Sequence, residues 1–588
     1  MWAKSEFTRN ATINALLKRI KKWFPRPAPP MRLDVSVLED RILYSATPMP
    51  VDIVDAVDAG LSELDHSLQE ALLDLQPAGD EPSATREALF IDASLDDLDV
   101  LLQEIARERD ADVFLMERDV DGVAFVSSVL SSAGEEYGAI HIVSHGSAGS
   151  VQLGDTLLTT ATIDNYRDQL SSWGMYLTDD ADILIYGCDL ANSQSGVTLL
   201  ETLAELTQSD VAASDDATGH ALLGGDWDLE YSIGVIDNEL LLAADSTSGW
   251  LHRLANSITV TNTLDVANGD TSSFDALFLN DGGDGISLRE AIIAANNTAN
   301  GATPDEIRFN INGAGPHLIG LSASLPTITE AVLLDGWSEP DYAGTPVIII
   351  DGNDISSDGL VLSSTADGST IRGFVIRNFN GDGIQINSGS SGNTIAGNYI
   401  GSLTTSGTNA GASFANTNNG IRINGSSNTI GGTTTADRNV ISGNALAGIR
   451  IDGTGAFGNQ VLGNFVGTDA SATSAIGNSQ EGVKITNAAV LNFLGGTAVG
   501  SGNIISGNLN DAVAISGVGT DNNRALGNWI GVDATGNTAL ANGDDGIQIG
   551  SSASYNVVGD GTLAGRNVIA GNADDGVQLY DLGTNNKV

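Results

Sequence analysis

The only cysteine in this 588-residue chain, Cys188, closes the apolar run ILIYG and opens the polar stretch DLAN. Upstream, His145 closes a second apolar run, AIHIVS, and is followed by Gly146. A thiol beside an imidazole is the pairing used in nucleophilic catalysis, because the imidazole lowers the thiol pKa and passes a proton to a leaving amine. Runs of this kind read as buried parallel strands, and ligands bind at the carboxyl ends of such strands. If the two strands are neighbours, Cys188 and His145 emerge at one edge. Gly146 and Gly187 would let a substrate approach the backbone, and the N–H groups of Gly146 and Cys188 could face a developing oxyanion. The competing reading is packing, since free cysteine is among the most buried residue types. His141 lies inside its strand and reads as a satisfied sheet residue. Asp189 reads as a helix N-cap rather than a third catalytic group.

The elements that must position this pair alternate. ALFIDAS, DVFLME, AIHIVS, DILIYG and DVAASD read as strands. LDDLDVLLQEIARER, GVAFVSSVLSSA, TIDNYRDQLSSW and SGVTLLETLAELT read as the helices between them. That order predicts parallel βαβ units with helices on the sheet faces over residues 87–254. The end of the segment, GGDWDLEYS and then GVIDNELLL, reads as β-rich.

Strand–HG followed by strand–GC resembles the caspase-like cysteine peptidases. The stretches HIVSHGSAGSVQLG, DILIYGCDLA, DVAASDDATG and GGDWDLEY resemble more closely an uncharacterised bacterial domain near the N-terminal side of giant surface proteins. The peptidase resemblance implies Cys188 as nucleophile and His145 as general acid/base. The substrate could then be the chain itself, because TSGWLHRLANSITV (247–260) would expose Arg253 between two folded regions.

Downstream the sequence repeats. DGIQI at 382–386 returns as NGIRI, AGIRI, EGVKI, DAVAI, DGIQI and DGVQL, with a period of two rungs linking Ile449, Val513 and Val577. Short alternating strands between Gly/Asn turns predict a right-handed parallel β-helix over 352–588. The fold class is thus multidomain, an α/β caspase-like parallel-sheet domain followed by an all-β solenoid. In each GN pair the Asn is expected to take the left-handed bend and to bond its copy on a neighbouring rung, giving ladders of Asn444, Asn464, Asn508, Asn528 and Asn572. TNNKV at 584–588 reads as a rung begun but not completed, so a truncated repeat array is expected.

Residues 255–351 are expected to cap and lead into this stack. SLREAI within DGGDGISLREAIIAANN resembles the CSLREAI motif found ahead of β-helices in bacterial surface proteins, with Ile286 in place of the cysteine. It predicts a helix over 287–296 with a Ser287/Glu290 capping box.

One column of the repeats is rich in acids: Asp382, Glu481, Asp511, Asp545 and Asp575, with Asn419 and Ala447 standing between the first two. Rungs stack about 4.8 Å apart, so these charges are either screened by solvent, the favoured reading, or bridged by Ca²⁺. No cofactor is otherwise required. Polysaccharide lyases and hydrolases built on β-helices need clustered bases or carboxylate pairs. Bases are few in the repeats, and Arg422, Arg450, Lys484 and Arg524 form no cluster, so a carbohydrate-active stack is a weaker alternative.

With 26 basic against 75 acidic residues and a formal charge of −49, nucleic acid is disfavoured as a partner. No apolar run reaches the ~18 residues of a membrane-spanning helix. Residues 1–50 form a basic leader whose VLEDRILYSATPMP (37–50) resembles the LEPR-x-LL motif of large bacterial surface proteins, with Asp40 and Tyr44 as departures. Residues 51–86 read as an acidic helical linker. The whole describes a secreted or cell-surface, adhesin-like modular protein, whose partners would be its own chain or an extracellular glycan or protein. The alternative is a non-enzymatic structural or anchoring protein.

Overall fold

The computed structural model describes residues 86–93, 95, 97–117, 119–242, 249–254, 257–300, 304–581 and 583–588. The basic leader and nearly all of the acidic linker lie outside the described residues.

The alternating segment folds as β1 (Glu87–Asp92), α1 (Leu98–Glu108), β2 (Asp112–Met116), α2 (Gly122–Ser132) and β3 (Tyr137–Val143). A small antiparallel sheet follows, made of β4 (Gly146–Ser147), β5 (Ser150–Leu153) and β6 (Thr156–Thr159). Then come α3 (Arg167–Trp173), β7 (Leu177–Tyr186), α4 (Gln194–Thr207), β8 (Asp210–Ala213) and β9 (Tyr231–Ile233). The main sheet has the order β2-β1-β3-β7-β8-β9, parallel except for β9. Its middle strands are buried on both faces, as near-continuous apolar runs require. One face packs Phe90, Ile140, Ile183 and Val211 under α2 and α4, and the other packs Leu89, Leu184 and Ala212 against Trp227 and Trp250. The antiparallel sheet has no counterpart in the sequence reading, since SAGSVQLGDTLLTT lacks the period of a long strand. GVIDNELLL is not a strand. Asp182 Oδ2 accepts the N–H groups of Asp237 and Asn238 at 2.9 and 2.8 Å, which fixes the segment as a loop and lets Leu241 and Leu242 bury.

The stack begins at Ser257–Val260, well before the repeats become legible. Three parallel sheets of ten, nine and eight strands form its faces. Each turn of chain adds one strand to each, an arrangement consistent with a right-handed solenoid. The G-I-x-I segments all lie on the eight-stranded face, with Ile421, Ile449, Val483, Val513, Ile547 and Val577 in register. The two-rung period comes from alternating corners. In one rung the chain passes almost directly from the first face to the second (Gln460–Leu462 to Phe465–Val466). In the next it loops out there (Phe493–Gly495 to Ile504–Ile505).

Asparagines hold all three corners. One column runs Asn393, 428, 459, 492, 523, 556 and 586, each side-chain amide donating to the next carbonyl oxygen at 2.8–3.3 Å. A second runs Asn398, 439, 464, 503, 528 and 567. The third runs Asn416, 444, 478, 508, 542 and 572. The five GN asparagines therefore divide between two columns, Asn464 and Asn528 in the second and Asn444, Asn508 and Asn572 in the third. Their conformation also differs from expectation. The glycines take the left-handed bend (Gly443 φ 72, Gly463 φ 67, Gly507 φ 77), where a Cβ would be strained, and leave the Asn beside them free to point inward.

At the lead-in, the helix α6 (Leu288–Asn297) has the expected capping box, and α5 (Phe274–Leu279) lies beside it. Leu288, Ala291, Ile292 and Ala295 share one apolar core with Ile258, Ile307 and the rungs beyond. The helix thus covers the first rung, whose core would otherwise meet water. Glu290 is fully buried. Its Oε1 accepts the N–H groups of Asn268 and Gly269, and its Oε2 accepts from the Ser287 N–H and hydroxyl.

Replacing Asn478 by Ala should be severe. The Asn444 N–H and amide lose their shared acceptor (3.0 and 2.8 Å), and the Ile441 carbonyl loses a donor. Because each orphaned buried group costs about 1–3 kcal/mol, chemical denaturation of Asn478→Ala is expected to show a loss of at least ~3 kcal/mol. Asn478→Asp should cost no less, because a carboxylate cannot donate.

Candidate functional site

β3 and β7 are neighbours, paired from Ala139/Asp182 to Val143/Tyr186. His145 and Cys188 therefore leave the sheet at the same edge. Between them the backbones touch: a Cβ placed on Gly146 would lie 2.6 Å from the Gly187 carbonyl carbon and 2.9 Å from the Cys188 nitrogen. The glycines that were expected to admit a substrate instead admit one strand end to the other. The N–H groups of Gly146 and Cys188 thus flank a contact already filled by protein.

Cys188 has no exposed surface. Its Sγ accepts the Thr218 N–H at 3.1 Å and donates to the Thr218 carbonyl at 3.5 Å. Burial pushes the thiol up to about 12, outweighing the lowering by the Thr218 N–H. Such a raised thiol stays protonated at pH 7. His145 is half-buried, and its Nδ1 lies 3.1 Å from the Leu254 carbonyl. A carbonyl only accepts, so Nδ1 carries the proton.

Trp250–Leu254 closes the edge. Leu254 N–H donates to the Thr218 carbonyl at 2.9 Å, His220 N–H donates to the His252 carbonyl at 3.0 Å, and Trp250 packs on Trp227. Arg253 is not the exposed linker residue expected. Its side chain pairs with Asp275 at 3.4 Å, lies over the Phe278 ring and is only 9% exposed. Asp189 is not a helix N-cap either. It sits in the left-handed region at φ 57, and Ser193 caps α4 through the Gly196 N–H. His141 is buried as expected, with Nδ1 3.3 Å from the Tyr186 hydroxyl and Nε2 3.3 Å from a Glu87 carboxylate oxygen.

The acidic column is buried rather than solvated. Asp382, Glu481, Asp511 and Asp545 are at most 6% exposed, and only Asp575 is open to water. Its members work as a backbone ladder. Asp382 Oδ1 accepts the Asn419 N–H at 2.8 Å, Asp511 Oδ1 the Asp545 N–H at 3.1 Å, and Asp545 Oδ1 the Asp575 N–H at 2.9 Å. Asn419 Oδ1 does the same for Ala447 at 3.3 Å, so a neutral amide suffices for the task. Glu481 pairs with Lys484 at 2.7 Å. Carboxylate oxygens of Asp511, Asp544 and Asp545 lie within 4.8 Å of one another.

Three of the four bases considered for lyase chemistry are held in ion pairs. Arg422 and Arg450 share Asp452, at 2.8 and 3.4 Å, and Lys484 is held by Glu481. Arg524 stands apart on the first face, beside Phe493, Tyr555 and Lys587.

Residues 88–254 match the family model described as a domain of unknown function (DUF4347). Among solved structures, a point mutant of the periplasmic alginate epimerase AlgG is similar at 16% identity and a TM-score of 0.25, covering 49% of this chain and 68% of that one. A double mutant of the same epimerase is similar at 16% identity and a TM-score of 0.26, covering 48% and 63%. A search of curated proteins gives no match. No helix among the described residues is long and apolar enough to cross a membrane.

Burial pushes Asp511 up to about 6, helped by the charges of Asp544, Asp545 and Glu481 and opposed by the Asp545 N–H. The folded protein then holds a proton that the unfolded chain releases near its ordinary value of about 3.9. Stability is accordingly present at low pH and lost as pH rises from about 4 through about 6. Asp511→Asn keeps the acceptor and removes the charge, so it should gain about 1–2 kcal/mol at pH 7.5 and nothing at pH 4. Melts at the two pH values check this, and a destabilised variant at pH 7.5 would indicate instead a cation bridging the column.

Proposed function

We propose that this chain is a non-enzymatic structural protein of the bacterial surface or surroundings, with the β-helix as a stiff stalk and the α/β domain as its anchoring module. The seal over Cys188 carries this reading. The thiol is fully buried, protonated and held at both its donor and acceptor positions by Thr218. The two strand ends lie at one edge, as a Cys/His pair would need, but that edge is filled by Thr218 and the Trp250–Leu254 segment. The stalk is suited to its role because, from Asn393 onward, its rungs are pinned at their corners by side-chain amides. The partner of an adhesin-like stalk would be an extracellular glycan or protein, and export follows the resemblances at Val37–Pro50 and Ser287–Ile292.

A second reading has one observation in its favour. The Leu254 carbonyl sits against His145, and Leu254 and Cys188 share Thr218 as a hydrogen-bond partner. This is where a self-processing peptidase would hold its own scissile segment, and activity would require Trp250–Leu254 to shift so that the sulfur is freed.

Iodoacetamide labelling followed by mass spectrometry of the intact chain separates the two. The structural reading expects no labelling of the native protein over hours and complete labelling in guanidinium. It also expects wild type and Cys188→Ala to stay equally intact on prolonged incubation. Rapid native labelling, or a break after Leu254 in wild type that Cys188→Ala abolishes, would establish the peptidase.

A further inference from the structure

His317 opens the second-face strand His317–Gly320. Glu339 ends the short helical turn Gly336–Ser338 that follows the first-face strand Val332–Asp335, and Asp341 lies two residues further on. Sequence reading gave none of these residues a role. Their side chains nevertheless converge. His317 Nε2 lies 3.6 Å from Glu339 Oε1 and 3.7 Å from Asp341 Oδ2, and one ligand atom from each residue lies within 4.8 Å of the others.

The imidazole is 5% exposed, yet its Nε2 has no hydrogen-bond partner among the described residues. A charge-assisted N–H···O bond closes to about 2.7–2.9 Å, so neither carboxylate has formed one. A bridging water would hold its two partners roughly 4.5 Å apart or more, at ordinary hydrogen-bond lengths. The observed spacing falls between these. It fits two ligands on one small cation, since bonds of about 2.0–2.2 Å place neighbouring donors roughly 3.2–3.6 Å apart.

Both carboxylates are held from outside. Glu339 Oε2 accepts the Ile311 N–H at 3.0 Å, which leaves Oε1 to face His317. Asp341 Oδ2 accepts the Gly315 N–H at 2.6 Å while its side chain remains 42% exposed, so this side is open to solvent. Outer hydrogen bonds of this kind orient metal ligands before the ion arrives.

We propose that His317, Glu339 and Asp341 bind a Zn²⁺ ion, with water completing its coordination on the Asp341 side. The imidazole nitrogen selects against Ca²⁺ and Mg²⁺, which take oxygen ligands, and the mixed N/O set suits Zn²⁺. The ion ties the loop leading into the second face to the turn leaving the first, at the rungs next to the capping helix.

The experiment uses the full chain stripped with EDTA, with ZnCl₂ titrated calorimetrically and CoCl₂ followed by visible absorption. Wild type is expected to bind one equivalent of Zn²⁺ above the weak uptake of its acidic surface. Co²⁺ is expected to give the ligand-field bands of a low-symmetry site, and millimolar Ca²⁺ or Mg²⁺ should not displace either ion. Asp341→Asn, at a solvent-facing position, should fold with an unchanged apo melting temperature and bind Zn²⁺ at least roughly tenfold more weakly. His317→Gln should lose both the tight equivalent and the Co²⁺ bands. Equal Zn²⁺ uptake by wild type and Asp341→Asn, or Co²⁺ spectra no different from the aqueous ion, would leave a plain His317–Glu339 ion pair and overturn the site.

Discussion

A buried primary amide has two donors and a carbonyl with two lone pairs, and inside a protein all four must be met. In this solenoid a rung can meet them only with its neighbours. Asn478 shows the arrangement: its amide donates to Asn508 Oδ1 on the rung after and to the Ile441 carbonyl, while its own oxygen accepts two N–H groups of Asn444 on the rung before. Much of the stack follows from this. The rung spacing must match a hydrogen bond between copies, so the strands stay parallel and in register. A one-residue slip would orphan an entire column, so insertions are confined to positions outside the corners. The long loops before Asn416, Asn478 and Asn542 respect that limit, and each of these residues stands five positions ahead of its third-face strand.

The same constraint explains how the stack begins. A first rung has no preceding rung to satisfy it, and its apolar interior is open. Here α6 covers that interior, and the buried carboxylate of Glu290 gathers donors from its own N-cap and from the Asn268–Gly269 backbone. The α/β domain continues the closure, because His252 and Arg253 both reach Asp275 on the helix beside α6. The segment that seals Cys188 is thus also the segment that meets the lead-in, and stability at one place supports the other.

Legibility followed periodicity. Strand–helix alternation and the G-I-x-I repeats could be read because burial imposes a period on apolar residues. The rungs between Ser257 and Asp351 were hidden because strands such as His317–Gly320 and Ile348–Asp351 carry no repeated turn, and their pairing depends on partners far along the chain. The asparagine columns were half visible. GN pairs drew attention to the glycine, whereas the signal shared by the first two columns is an Asn just before a strand, as in NTI, NQV, NFL, NRA and NVV, with or without glycine. His317, Glu339 and Asp341 left no motif, since their spacing belongs to two faces rather than one strand.

The placement of Cys188 and His145 shows where sequence inference reaches its limit. Parallel topology delivers both to one edge, and any residues at those two positions would arrive there. Chemistry requires more than arrival: the sulfur must shed its proton and face a space large enough for a carbonyl. The residues that surround the sulfur in this structure come from elsewhere in the chain. Thr218 saturates the thiol, Gly146 and Gly187 pack together without side chains between them, and Trp250 and Leu254 close over the top. None of these interactions has a spacing in sequence that announces it. A Cys/His pair at adjacent strand ends therefore describes a fold equally well with or without activity.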